Sequence, residues 1–168
     1  SGTQHAYEQD HGDKLYRRSM YTFWRRTMPP PSMTVFDAPT REFCKVRRER
    51  TSTPMQSLVL MNDPQLIEAG RVLAERLVEK HPTNDGERVR DACRMLTSRS
   101  PEPEQCKLLE TYLAQERQEF ARQPQLQKDL LTGNGEKPLQ PGLPEAEVAA
   151  TTMMVHLLMG FSETTVNP

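Results

Sequence analysis

The sequence predicts a mainly α-helical fold: an irregular helical domain preceded by an extended arm rich in arginine and aromatic residues. Three observations carry that prediction. Helix-capping words recur from Thr53 onward. Apolar residues repeat at i, i+3 and i+4 within the segments those caps open. Upstream, residues 14–50 carry ten Lys or Arg against three Asp or Glu, and six of the ten aromatic residues of the chain.

At 168 residues the chain is long enough for one domain with a core. Hydrophobic residues make up 35% and charged residues 27%, so a thin core with solvated faces is expected. Net charge is −1. With +7 in residues 14–50 the remainder sums to −8, so the charge is segregated rather than absent. This balance gives no global attraction to nucleic acid or to an acidic membrane. No apolar run approaches the roughly 18 residues of a membrane span. Ser1-Gly2-Thr3 opens no charged-then-apolar leader.

Residues 1–12 are polar and unpatterned and read as a flexible segment. Residues 13–168 read as one helical domain, with 13–52 as the basic aromatic arm and 53–168 as the helices. Within the arm, Leu15 to Thr27 combines rings with charges and reads as extended or irregular. Pro29-Pro30-Pro31 imposes a polyproline-like stretch, and the chain stays irregular through Asp37-Ala38-Pro39.

Thr53-Pro54-Met55-Gln56 is a capping box. The Thr hydroxyl accepts the N3 amide, Pro occupies N1, and Gln56 reaches back. It predicts a short helix from Pro54 to about Met61. Asp63-Pro64 repeats the cap-then-proline word, and Leu66, Ile67, Gly70, Leu73, Ala74 and Leu77 form one face, ending near Lys80 before His81-Pro82. Asn84 or Asp85 caps a third helix with Val89, Ala92, Cys93 and Leu96 in a stripe. Ser100-Pro101-Glu102 opens a fourth, whose acidic first turn suits the helix dipole. Pro124 interrupts it, and a short helix then runs to Leu131. Residues 132–143 hold three Gly and two Pro and form a loop. The last helix, about Pro144 to Met159, is apolar on most sides and should be the most buried; Gly160 supplies its stop.

Several words occurring in one order resemble a known family. They are Tyr16-Arg17-Arg18-Ser19-Met20-Tyr21-Thr22-Phe23-Trp24-Arg25-Arg26-Thr27, Pro29-Pro30-Pro31-Ser32-Met33, Phe36-Asp37-Ala38-Pro39 and Arg41-Glu42. Arg47-Arg48-Glu49-Arg50-Thr51-Ser52-Thr53-Pro54-Met55-Gln56 and Leu58-Val59-Leu60-Met61-Asn62-Asp63-Pro64 complete the run. It is similar to the planctomycete-specific C-terminal domain of planctomycete cytochrome-c-domain proteins, a domain of unknown function. The similarity is dense over residues 14–78 and weaker beyond, and Gly160-Phe161-Ser162-Glu163 departs from the family's ending. The resemblance implies an exported or periplasmic multidomain protein with upstream domains, one carrying a c-type haem. No Cys-x-x-Cys-His word occurs here, so haem attachment would belong upstream and this chain would hold no cofactor. The family supplies no catalytic residues to carry over.

The chemistry in the residues themselves centres on the arm. Arg17, Arg18, Arg25, Arg26, Arg41, Arg47, Arg48 and Arg50 offer forked donors for sulfate, phosphate or carboxylate. Tyr21 and Trp24 offer stacking faces beside them, and Asp37 is the one carboxylate set among them that suggests a base. An anionic polysaccharide or an acidic protein surface is the expected partner, alongside upstream domains of the same polypeptide; nucleic acid and membrane insertion are not expected. The structural alternative is that the rings pack on the helices while the arginines pair with Asp37, Glu42, Glu68 or Glu75.

No catalytic, cofactor or metal residues are assigned. The histidines His5, His11, His81 and His156 lack HxxxH or HExxH spacing, and His156 reads as a core residue. Cys44, Cys93 and Cys106 are odd in number and far apart, which argues against a full disulfide framework and leaves one bridge plus a free thiol open. The function expected is a noncatalytic interaction or structural module, with the runner-up an enzyme domain or half-site acting on an anionic polysaccharide through Asp37 and nearby arginines.

Overall fold

The computed structural model describes residues 10–17, 19–22, 24, 29–39, 44, 46–47 and 51–161. Among them are seven α-helices, two 3-10 turns and no strand, so the fold is mainly α. The chain divides into two compact units, Ser1–Val59 and Leu60–Pro168.

In the first unit a 3-10 turn at Gly12–Lys14 precedes the stretch expected to be extended or irregular, and a second at Ser19–Tyr21 lies within it. The proline run also behaves differently from expectation. Pro30 is extended at φ −55°, ψ 127°, but Pro31 opens helix α1, Pro31–Val35. A proline at N1 loses no useful donor, so the third proline starts a helix instead of prolonging a polyproline strand. Helix α1 ends where Asp37 turns into the left-handed region at φ 57°. Helix α2, Pro54–Asn62, begins where the capping box predicts.

The second unit holds α3 (Pro64–Lys80), α4 (Asp85–Thr97), α5 (Pro103–Arg122), α6 (Pro124–Thr132) and α7 (Glu145–Met159). The starts of α3, α4 and α5 are chemically specified. Asp63 accepts the Gln65 amide at 2.9 Å ahead of Pro64, and Asn84 accepts the Glu87 amide at 3.1 Å. Glu102 caps α5 in a reciprocal box with Gln105, two residues later than Ser100 alone would set it.

Helix α7 is the axis of this unit and packs against α3, α4, α5 and α6. Val148, Ala149, Ala150, Met154, Val155 and Leu158 are at most 1% exposed, as expected for the most apolar helix. Each large aliphatic side chain so buried contributes roughly 1.5–3 kcal/mol before entropy is counted. Gly70 sets the spacing between α3 and α7: a Cβ there would lie 2.6 Å from the His156 ring. Gly160 ends α7 at φ −75°, so it stops the helix without the left-handed cap that a glycine there suggests.

Candidate functional site

Asp37 is the centre of the chemistry expected in the arm, and the structure gives it a definite job. Helix α1 delivers it into a left-handed turn, where its Oδ2 accepts the Thr51 amide at 2.8 Å and the Thr51 hydroxyl at 2.7 Å. Gln56 approaches the same oxygen at 3.5 Å through Nε2, which also donates to Val35 O at 3.0 Å and Thr51 Oγ1 at 3.1 Å. The Gln56 Oε1 accepts the Thr53 amide at 3.1 Å, completing the capping box read from the sequence. At 5% exposure, Gln56 is the buried keystone of this clasp. A carboxylate oxygen that accepts the amide and the hydroxyl of a residue fourteen positions away ties two chain segments together.

Arg17 and Arg47 are exposed. Tyr21 is 60% exposed at the end of its 3-10 turn, next to Met20 at 74% and near Tyr16 at 57%. Trp24 is half-buried. Arg18, Arg25, Arg26, Arg41, Arg48 and Arg50 lie outside the described residues.

The second unit contains ionic chemistry that sequence reasoning does not find. Arg71, 1% exposed, lies on α3 between Glu68 and Glu75, at 2% and 3%. It pairs with Glu75 and donates to Lys137 O at 2.5 Å. Glu68 accepts the Lys137 amide. Two of the acids expected as partners for the arm thus surround an arginine of their own helix.

Arg88 is fully buried and fully engaged. It donates to His81 O at 2.8 Å and Pro82 O at 3.1 Å, satisfying carbonyls left over at the end of α3, and to Glu147 at 2.7 Å. Arg117 forks onto Asp85 at 2.5 and 2.7 Å and onto Glu147 at 2.6 and 2.9 Å. Two cations and two carboxylates therefore join α4, α5 and α7 at zero net charge. Hydrogen bonds from Arg117 hold Asp85 below the usual carboxylate range. At Glu147 burial opposes ionisation, but the bonds from Arg117 and Arg88 outweigh it and its pKa is also lowered.

Two further groupings have reactive residue types without a reactive arrangement. Asp91 Oδ2 meets His81 Nε2 at 2.7 Å and Lys80 Nζ at 2.6 Å. The hydrogen bonds from Lys80 and His81 depress it to about 2, making it a firm anion that joins α4 to the end of α3. Cys93 and Cys106 are buried free thiols. Burial pushes Cys93 up to about 11, so little thiolate exists near neutrality. His156 is a buried core residue, as the sequence suggests. Its Nε2 lies 3.5 Å from Ile67 O, and desolvation lowers its pKa. Among the described residues, no three His, Cys, Asp or Glu side chains gather as a metal site would require.

Residues 2–113 match the family described as PSD1, Protein of unknown function (DUF1553). The chain belongs to that family. The match takes in the clasp, the exposed turns and helices α1 to α4, and ends within α5. No curated protein and no solved structure matches the chain. Membership supports the domain of unknown function read from the motif words.

Proposed function

We propose that this PSD1 chain is a noncatalytic interaction and structural module, which engages an anionic partner through the arginine and aromatic side chains of residues 13–52. The supporting observation is the division of labour in the first unit. Asp37, the carboxylate best placed in sequence to act as a base, is committed to Thr51 and Gln56, while Arg17, Met20, Tyr21 and Arg47 face outward. Exposed Tyr, Met and Arg are the residue types enriched where proteins bind other molecules. General acid–base work needs a carboxylate free to exchange a proton within reach of a substrate, and a clasp oxygen is a poor candidate for it.

In this reading the chain is the C-terminal module of a larger exported or periplasmic protein of the planctomycete cytochrome-c-associated kind. Its neighbours are upstream domains of the same polypeptide, one of them carrying a c-type haem. The external partner is an anionic polysaccharide or an acidic protein surface.

The test is retention on immobilised heparin and dextran sulfate, with salt elution, for the parent chain and for Arg17→Ala/Arg47→Ala and Arg25→Ala/Arg26→Ala. Retention that weakens steeply with salt and falls in both double variants supports the reading. Absent or salt-insensitive retention of the parent chain sinks it.

A further inference from the structure

A hollow of about 450 Å³ opens at one end of the second unit, where α4 ends, α5 begins and α7 ends. Its volume lies within the roughly 300–1,000 Å³ of small-molecule sites. The floor is apolar and buried: Cys93, Leu109 and Leu158 are at most 5% exposed. The rim is also apolar but open, with Leu108 at 71%, Leu157 at 37% and Phe161 at 39% exposure. Three large apolar side chains held in water around a cavity form a patch that invites cover.

The polar groups of the lining decide what kind of cover fits. Thr97 is spent, its hydroxyl donating to Cys93 O at 2.8 Å and accepting the Arg99 amide at 3.3 Å. The Ser100 hydroxyl accepts from Arg94 at 3.2 Å. Glu102 and Gln105 are committed to their capping box, which turns the Glu102 charge toward the amides of α5. The Arg99 guanidinium remains. It is exposed and, among the described residues, takes part in no hydrogen bond or ion pair. Ser98, left-handed at φ 58°, makes the turn that carries Arg99 to the mouth. The hollow thus presents an apolar floor and rim with one uncommitted forked cation at its edge.

We infer that this hollow binds a small amphiphile with a single anionic head, of the medium-chain carboxylate class, its tail over Leu109 and Leu158 and its carboxylate on Arg99. A carboxylate matches one guanidinium bidentately, so a single forked cation at the mouth fits a single carboxylate head. The site shares no residue with the arm, so it stands or falls independently of the proposed partner surface.

The test uses the full chain, titrated with decanoate, decanol and decyltrimethylammonium below their aggregation concentrations and monitored by calorimetry and amide NMR. Decanoate is expected to bind saturably and to shift the amides of Leu109, Leu157 and Leu158. Decanol should bind about tenfold more weakly, the difference one charge-assisted pair makes. Arg99→Ala should bring decanoate down to the affinity of decanol and leave decanol unchanged, which a general loosening of the fold would not do. Leu108→Glu, a change at an exposed position, should weaken decanoate more than decanol. No saturable decanoate binding, equal binding of the ammonium, or shifts mapping away from the hollow would overturn the inference. Sedimentation with phosphatidylglycerol vesicles in the absence of decanoate binding would overturn it too, pointing to a bilayer rather than a single amphiphile.

Discussion

Two described arginines of the first unit and two of the second are used in opposite ways. In the first, Arg17 and Arg47 are exposed, and the described turns are closed by neutral and carboxylate hydrogen bonds around Asp37 and Gln56. In the second, Arg71 and Arg88 are buried to 1% exposure or less and bind helices and loops together. An exposed guanidinium contributes little to stability because water and salt screen it. A buried one is costly to desolvate and persists where ion pairs and hydrogen bonds offset that cost. A residue type therefore says nothing about role until its environment is known, and the contrast can be tested directly.

The largest effect should come from Arg88→Met. It strips donors from the His81 and Pro82 carbonyls and one cation from Glu147, at an expected cost of about 3–5 kcal/mol. Urea unfolding monitored through the helical unit reads this; a loss below about 1 kcal/mol would mean that methionine packing offsets the network.

Gly70→Ala comes next. The new methyl would sit 2.6 Å from His156 Cδ2, and overpacking of this kind costs about 1–3 kcal/mol. Adding His156→Ala should recover part of the loss, a non-additivity that a thermal-denaturation cycle measures.

Asp37→Ala should cost about 1–2 kcal/mol, by leaving the Thr51 amide and hydroxyl without the carboxylate they donate to. The Thr51 amide should then lose hydrogen-exchange protection while α7 keeps its own, confining the damage to one unit.

Acid should loosen the helical unit with a defined sign. Asp91 titrates near 2 when folded against an ordinary 3.8, and Asp85 and Glu147 are lowered in the same direction. Their contribution is complete above the unfolded values and is lost as pH falls through the folded ones. His156, lowered from 6.5, adds an earlier loss that begins as pH drops below that value. Stability of the second unit should therefore decline in two stages, the first near pH 6 and the second below about pH 4. Arg88→Met should shrink the second stage.

The smallest effect on stability belongs to Arg17→Ala/Arg47→Ala, expected within about 0.5 kcal/mol because both side chains are exposed. A larger loss by chemical denaturation would erase the distinction between the units.

The helical unit is legible in sequence wherever the deciding chemistry is local. Asp63 before Pro64, Asn84 three residues before Glu87, and Glu102 with Gln105 each involve atoms within one turn, so a short word contains the whole interaction. Pro31 is ambiguous in sequence because a third proline fits both a polyproline strand and position N1, and only the packing of the residues downstream separates the two. Arg71 and Arg88 escape a sequence reading for a different reason. Each lies on the apolar stripe of its helix, Arg71 three residues before Ala74 and Arg88 four before Ala92, but charge marks such positions as solvated. Arg71 has carboxylates within its own helix, but the carbonyl it also bonds lies 66 residues away at Lys137, and the close carboxylate of Arg88 lies 59 away at Glu147. Of the candidate partner surface, residue types are readable and exposure is not, since exposure is set by tertiary packing that residue type alone does not record.

The loop between α6 and α7 is tied to α3 through main-chain atoms of residues 137 and 140. The Lys137 amide and carbonyl meet Glu68 and Arg71, and the Gln140 amide approaches Glu75 at 3.5 Å. Because no side chain at these two positions supplies those contacts, both can drift to almost any amino acid that retains its N–H, and proline alone is barred there. Gly135 is the opposite: at φ +80°, with a β-carbon that would collide with Glu68, it admits no replacement. Related chains should therefore be recognisable in this loop by an invariant glycine within otherwise unremarkable text.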